Sequence, residues 1–128
     1  MVKKVAGIII RCADKVLLVK RSDKVDNFPN LWSIPAGHVE EGEIPYETSI
    51  RELYEETQID SKDIKFLDFL GTIGEDRNSE FHIFLWESKH IIVPKLDFEH
   101  TEYGWFTADN IPEPITEEIR QKVFESFA

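Results

Sequence analysis

Three glutamates, Glu52, Glu55 and Glu56, are the side chains in this sequence best placed to do chemistry. On an α-helix, residues three and four apart are neighbours, so the three carboxylates fall within an arc of about 100°. Like charges at this spacing disfavour a helix by roughly a few tenths of a kcal/mol per pair, and the helix dipole is already negative at this end. A divalent cation reverses these interactions, because Mg²⁺ takes oxygen ligands and completes its shell with water and phosphate. A metal site and a solvated acidic face are the two interpretations.

The neighbours of the cluster favour the metal site. Arg51 lies beside it and can hold a carboxylate with two parallel hydrogen bonds. Gly37 and Gly42 lie just upstream among acidic residues, where exposed backbone carbonyls can join a metal site. Histidine is not expected to contribute, since none has a paired metal-ligand spacing. The four histidines are His38, His82, His90 and His100.

The elements that position these residues follow from the hydrophobic period along the chain. Over Pro45–Thr57 the period is about 3.6, which predicts a helix with its apolar stripe on a sheet and the glutamates on an exposed face. Apolar β-branched runs predict strands over residues 5–10, 16–19, 64–73, 81–86, 91–93 and 103–106. Thr116 is expected to cap a carboxyl-terminal helix. This order fits an α/β sandwich with a mixed sheet.

Composition limits the partners and the location. The chain has 128 residues, 41% of them hydrophobic, and a formal net charge of −10. We expect one domain spanning residues 1–128, with enough apolar residues for one packed core. The negative charge excludes nonspecific binding to a nucleic-acid polymer but not a small phosphate ester held through a metal. No stretch approaches the roughly 20 apolar residues of a membrane span, so a cytoplasmic protein without membrane contact is expected. A monomer or a homodimer is the expected oligomeric state.

The acidic helix and the turn before it form one longer motif, GHVEEGEIPYETSIRELYEETQI, over the 23 residues 37–59. Its matched positions are Gly37, Glu43, Arg51, Glu52, Leu53, Glu55, Glu56 and Ile59. At these positions the chain resembles the Nudix (MutT-like) hydrolase family. Agreement at so many positions is far more specific than a lone glycine-rich loop. One position departs, because the family usually has glycine where Gln58 stands, and glycine there can adopt the left-handed conformation that ends a helix.

The resemblance implies a Nudix-type α/β/α sandwich and an enzyme that cleaves a diphosphate linkage with Mg²⁺, or with Mn²⁺ as a substitute. The positions that match metal ligands are Gly37, through its carbonyl, Glu52, Glu55 and Glu56. Glu52 or Glu56 can also serve as the general base. The metal would bridge phosphoryl oxygens and lower the pKa of a bound water, which a neighbouring carboxylate then deprotonates.

The resemblance also assigns roles around the metal site. Arg51 is expected to orient carboxylates, and Glu43 to support the loop through Arg51 or water. An acid outside the motif often serves the family as ligand or base, and Glu99 is favoured over Glu102. Arg21 matches a position that contacts substrate phosphate, with a solvated strand-end residue as the alternative.

The substrate is expected to be a small nucleotide-like molecule. Family branches that act on ADP-ribose or diadenosine polyphosphates often carry a marker proline or tyrosine 15 to 18 residues after the motif, and residues 74–77 contain neither. A nucleoside di- or triphosphate is therefore favoured, with nucleotide sugars next. The alternative function is a non-catalytic nucleotide-sensing module, but such a module can dispense with a metal-binding acid, and this chain has all three. The acids also lack the alternating spacing of a Ca²⁺-binding EF-hand loop.

Overall fold

The computed structural model of the protein describes residues 2–128. Within them, seven strands form one sheet that packs against two α-helices. The strands are β1 (Lys3–Cys12), β2 (Lys15–Arg21), β3 (Trp32–Ser33), β4 (Ala36–His38), β5 (Lys65–Ile73), β6 (Ser79–Glu87) and β7 (His100–Phe106). The helices are α1 (Pro45–Thr57) and α2 (Glu117–Ser126). Neither of these helices has the length and apolar character needed to cross a membrane.

The sheet is mixed, which confirms the predicted fold class. Its order is β3-β2-β1-β6-β5, with β4 paired to β1 and β7 paired to β2. Strand β1 runs parallel to β6 and antiparallel to β2 and β4. Alternating side chains of β1 face opposite sides of the sheet, so Ile9 packs in a cluster with Val123 of α2 and Ile8 in a cluster with Leu53 of α1. The two clusters make the protein a three-layer α/β/α sandwich.

Helix α1 begins and ends where the hydrophobic period predicts. Pro45 occupies its first turn, and the Glu47 carboxylate accepts a hydrogen bond of 3.1 Å from the N–H of Ile44. Leu53 is fully buried against the sheet. The residue after the helix, Gln58, has φ 60° and ψ 19°, and its N–H donates to the Tyr54 carbonyl at 2.8 Å. The chain therefore ends this helix in the left-handed conformation with a glutamine in place of the glycine usual in the family.

Two short segments differ from the sequence-based prediction. The strand expected over residues 91–93 is absent, and the Ile92 carbonyl instead accepts a hydrogen bond of 2.9 Å from Nε1 of Trp105. Residues 36–38, expected in a turn, form β4 and pair with residues 5–7 of β1. In residues 91–93 a side-chain donor thus satisfies the backbone carbonyl that a strand partner would otherwise bind. In residues 36–38, backbone pairing with β1 fixes the segment beside α1.

The left-handed conformation of Gln58 predicts that Gln58→Gly stabilises the protein. Glycine avoids the close approach of Cβ to the following carbonyl, so the free energy of unfolding is expected to rise by up to about 1 kcal/mol. Urea denaturation measures the change. Gln58→Ala is the matched control, because it keeps the Cβ atom and should bring no such gain. Equal effects of the two substitutions would contradict this explanation.

Candidate functional site

Arg51 is the centre of the candidate site, because its guanidinium contacts four carboxylates. Its Nε and Nη2 donate to the two oxygens of Glu43 at 2.6 and 3.1 Å. Its Nη1 donates to Glu52 at 3.0 Å and to Glu55 at 2.9 Å, and lies 3.4 Å from a Glu40 oxygen. One positive charge is therefore shared among four negative charges, and this corner of the molecule remains strongly acidic.

Glu43 connects the loop before α1 to the helix. Besides the pair with Arg51, its carboxylate accepts hydrogen bonds from the Thr48 hydroxyl at 2.7 Å and from the Glu40 N–H at 3.1 Å. These hydrogen bonds, that of Arg51 first, lower the pKa of Glu43 to about 2. The same pairing raises the pKa of Arg51. The loop is thus held by an ion pair that stays charged at neutral pH.

Gly37 lies so close to Glu52 that no side chain fits between them. A Cβ atom added to Gly37 would lie 2.1 Å from Cδ of Glu52. Strand β4 holds Gly37 in this place by pairing it with Ala6 of β1. Because the carboxylate is the movable end of a flexible side chain, a larger residue at position 37 would displace the carboxylate rather than the strand.

Glu56 is buried, which corrects the expectation that all three glutamates lie on an exposed face. It is 2% exposed, whereas the side chains of Glu52 and Glu55 are 15% and 52% exposed. Its Oε1 accepts a hydrogen bond of 3.2 Å from the Ala36 N–H and lies 3.6 Å from Nε2 of His100. Burial is the main cause that raises the pKa of Glu56, and the adjoining Glu52 carboxyl raises it further.

The donors of this site fit a hard divalent cation in chemistry and charge. Carboxylate oxygens and a backbone carbonyl are the ligands that Mg²⁺ prefers, and two adjoining carboxyl groups need either a shared proton or a cation. No three acidic, histidine or cysteine side chains in residues 2–128 already surround a common point. Glu52 and Glu55 instead both direct an oxygen at Nη1 of Arg51. A cation at this site therefore competes with the Arg51 guanidinium for the same carboxylates.

A cavity of about 920 Å³ adjoins Glu52, a volume typical of small-molecule sites. Arg21 and the 61% exposed Phe28 also line it. Nε of Arg21 donates to the Asn27 carbonyl at 2.9 Å, which fixes the guanidinium at the cavity wall. Trp32 is 9% exposed and belongs to the hydrophobic core.

The structure separates the two acids considered outside the motif. Glu99 lines the same cavity as Gly37 and Glu52. Glu102 is 58% exposed at its side chain and forms a surface ion pair with Lys20 at 3.5 Å. Only Glu99 is therefore in a position to meet a molecule bound beside Glu52, and its chemical role remains a prediction.

Two residues of the site, Asp97 and His100, were not identified from the sequence. His100 is 6% exposed, and its Nδ1 lies 2.8 Å from Oδ1 of Asp97 while Nε2 faces Glu56. Neither residue belongs to the motif over residues 37–59. The only local feature that links them is the short spacing between an acid and a histidine. This spacing is common in loops and does not by itself indicate a functional role.

Comparison with known proteins shows what this chain is similar to. The NUDIX domain model matches residues 1–127. An RNA pyrophosphohydrolase of Pelagibacter ubique is 28% identical, covering 93% of this chain and 89% of that protein. The m7GpppN-mRNA hydrolase NUDT17 of Xenopus laevis is 42% identical over 62 residues, which are 48% of this chain and 21% of that protein.

Solved structures agree with the match. The MutT protein from Methanosarcina mazei Go1 is 26% identical and superposes with a TM-score of 0.77, covering 98% of this chain and 91% of that one. A MutT NUDIX hydrolase from Burkholderia pseudomallei superposes with a TM-score of 0.73 at 23% identity, covering 97% of each chain. The chain spans less than half the length of the first curated relatives that it matches.

The raised pKa of Glu56 predicts that the protein loses stability as pH rises. The folded protein holds the Glu56 proton more tightly than the unfolded chain, in which glutamate has its ordinary pKa of 4.5. This contribution is therefore complete below the ordinary pKa and is lost as pH rises toward the raised one. Urea unfolding between about pH 5 and 9, in chelator, should show the decline in the wild type and much less of it in Glu56→Gln.

The matched control is Glu41→Gln, an exposed acid on the loop before α1, which should keep the wild-type decline. Glu43 acts in a separate range, because its lowered pKa gives stability that is lost only as pH falls below the ordinary value. If Glu56→Gln keeps the full decline, another group is responsible for it.

Proposed function

The chain belongs to the NUDIX domain family, and we propose that it hydrolyses the diphosphate linkage of a small nucleotide-like substrate. The substrate class is a nucleoside di- or triphosphate, or a nucleoside diphosphate derivative such as a nucleotide sugar. The observation that carries the proposal is the cluster of carboxylates around Arg51, in which Glu52 lies against Gly37 and lines a cavity of about 920 Å³. In this proposal residues 1–128 act as one domain in the cytoplasm, as a monomer or homodimer.

Glu52, Glu55, Glu56 and the Gly37 carbonyl are the groups that would hold Mg²⁺, with Mn²⁺ as a substitute. The bound ion would supply neutralisation of phosphoryl charge and a lower pKa for its water. The chain's own contribution is to hold the Glu52 and Glu56 carboxyls in place before substrate arrives. Gly37 admits the Glu52 carboxylate, and the Ala36 N–H fixes that of Glu56.

Arg51 and Glu43 would keep the acidic corner assembled during turnover. The bidentate pair anchors the guanidinium, so Nη1 remains directed at Glu52 and Glu55. If a cation held these two carboxylates, the pair with Glu43 would still keep Arg51 in place. Arg51 therefore orients the ligands without leaving the site.

Arg21 would contact a substrate phosphate. Its Nε donates to the Asn27 carbonyl, so the two terminal nitrogens are the donors that it would offer to a molecule in the cavity that it lines. A guanidinium suits phosphate oxygens because its donors match their geometry in pairs. Phe28, exposed in the same cavity, offers a flat apolar surface for the remainder of the substrate.

The proton of the attacking water would go to a carboxylate of this chain, a step worth about 10² to 10⁴ in rate. Glu52 and Glu56 are the alternatives on α1, and Glu99 is the alternative outside it. The Glu99 backbone is fixed by the Ser22 N–H, which donates to its carbonyl at 2.7 Å. Its side chain forms no ion pair in the described part of the chain and lines the cavity, so it is available to a bound water.

The test of the function is phosphate release from a panel of nucleoside di- and triphosphates, nucleotide sugars and dinucleotides. Turnover is expected with Mg²⁺ or Mn²⁺ and should be abolished by chelator. Glu52→Gln and Glu56→Gln should each lower kcat by at least about 10², because each replaces a carboxyl that can become an anionic ligand of the cation by a neutral amide. Glu41→Gln should retain wild-type turnover. Full activity in chelator would exclude the mechanism, and binding of nucleotides without any turnover would favour the sensing module instead.

Glu99 and Glu102 provide a second test with an internal control. Glu99→Gln should lower kcat with little change in KM, because Glu99 lines the cavity beside Glu52. Glu102→Gln should alter neither constant, since it removes only an exposed ion pair with Lys20. A larger loss in Glu102→Gln would reverse the assignment, and no loss in either variant would place the base on Glu52 or Glu56.

A further inference from the structure

His100 lies between two carboxyl groups that belong to different parts of the fold. Its Nδ1 is 2.8 Å from Oδ1 of Asp97, and its Nε2 is 3.6 Å from Oε1 of Glu56. The side chains of His100 and Glu56 are 2% and 3% exposed, so water cannot replace either contact. The distance to Glu56 exceeds that of an ordinary hydrogen bond, so the imidazole constrains the Glu56 carboxyl by packing against it.

The loop that carries Asp97 is attached to the carboxyl end of α1. The Lys95 N–H donates to the Thr57 carbonyl at 2.9 Å, and the Asp97 N–H donates to the Glu56 carbonyl at 3.1 Å. These bonds satisfy two of the last carbonyls of the helix, which have no partner within it. Asp97 and Glu56 are therefore fixed to each other through the backbone as well as through the imidazole.

Asp97 is itself held in a single arrangement. Its Oδ1 accepts a hydrogen bond of 3.2 Å from the Glu99 N–H, and its carbonyl accepts one of 3.3 Å from the His100 N–H. The carboxylate that meets Nδ1 is thus part of a closed turn. A partner fixed in this way holds the imidazole ring in one orientation.

We infer that His100 is a positioning residue, which keeps the Glu56 carboxyl directed toward Glu52, and that Asp97 orients His100. The inference rests on the proposed function of Glu56. The Ala36 N–H on β4 and the His100 imidazole both contact Oε1 of Glu56, so two separate strands constrain this carboxyl. Without the imidazole the Glu56 side chain gains rotamers that turn it away from Glu52. Outer partners of this kind typically affect metal affinity or activity by about 10- to 100-fold.

The test compares His100→Asn with His100→Gln. Asparagine places an amide near Nδ1 and keeps the contact with Asp97, whereas glutamine places one near Nε2 and keeps the contact with Glu56. His100→Asn should lower kcat about 10- to 100-fold and leave KM within about twofold of the wild-type value. The Mg²⁺ concentration that gives half of the rise in melting temperature should increase by a similar factor. His100→Gln restores a polar group beside Glu56, so its kcat should be at least about threefold higher than that of His100→Asn.

Val123→Ala is the control for lost stability, because Val123 is fully buried in α2 within the other hydrophobic cluster. It should lower the melting temperature without changing kcat or the Mg²⁺ midpoint. If His100→Asn behaves like Val123→Ala, or if the asparagine and glutamine variants lose kcat equally, His100 is only a core residue and the inference is wrong.

Asp97→Asn is the second variant, for use if His100→Asn does not fold. It keeps the size of the side chain and the buried imidazole, and should lower kcat severalfold at unchanged KM. Wild-type kcat in a folded Asp97→Asn protein would overturn the role of Asp97. A wild type with neither turnover nor a Mg²⁺-induced shift would overturn the proposed function, and with it this inference, whereas normal wild-type behaviour with unaffected variants would overturn the inference alone.

Discussion

The crowding of acidic side chains around one guanidinium is the constraint on which the rest of the site depends. Four carboxylates contact Arg51, and the Glu56 carboxyl lies behind them out of water. Repulsion between like charges is screened least where solvent is excluded. Hydrogen-bond donors therefore surround the cluster, from the backbone of Ala36 and Glu40 and from the Thr48 hydroxyl. Their positions explain why a strand and a tight loop must pack against this helix.

The helix forms despite its acidic face because burial outweighs repulsion. Leu53 is completely buried, and burial of a leucine is worth roughly 1.5 to 3 kcal/mol. Repulsion between neighbouring helix charges costs only a few tenths of a kcal/mol per pair, by the same order-of-magnitude scale. The Arg51 contacts and the Glu43 network reduce that cost further. Packing on the sheet thus fixes the helix, and the helix in turn presents Glu52 to the cavity and holds Glu56 in the interior behind it.

Local periodicity was sufficient to predict α1 and most strands, but it misplaced Glu56. At 100° per residue, Glu56 lies about 60° from Leu53, as close in angle as Ile50 on the other side. The angle alone allowed a buried position, and the acidic residue type led to an exposed one. The prediction of a strand over residues 91–93 was wrong for a different reason. Its Ile92 carbonyl is bound by the Trp105 side chain, a contact that no local pattern predicts.

An irregular pairing decides which face of β7 each side chain takes. Lys20 pairs with Glu102 and Arg21 with His100, so Thr101 is an extra residue in β7. Side chains at positions 100 and 102 would share a face of a regular strand, but their partners in β2 point to opposite faces. The extra residue therefore leaves Glu102 exposed beside Lys20 and turns His100 into the interior. Because this irregularity arises from pairing between distant segments, spacing along the chain cannot distinguish an acid at the cavity from one at the surface.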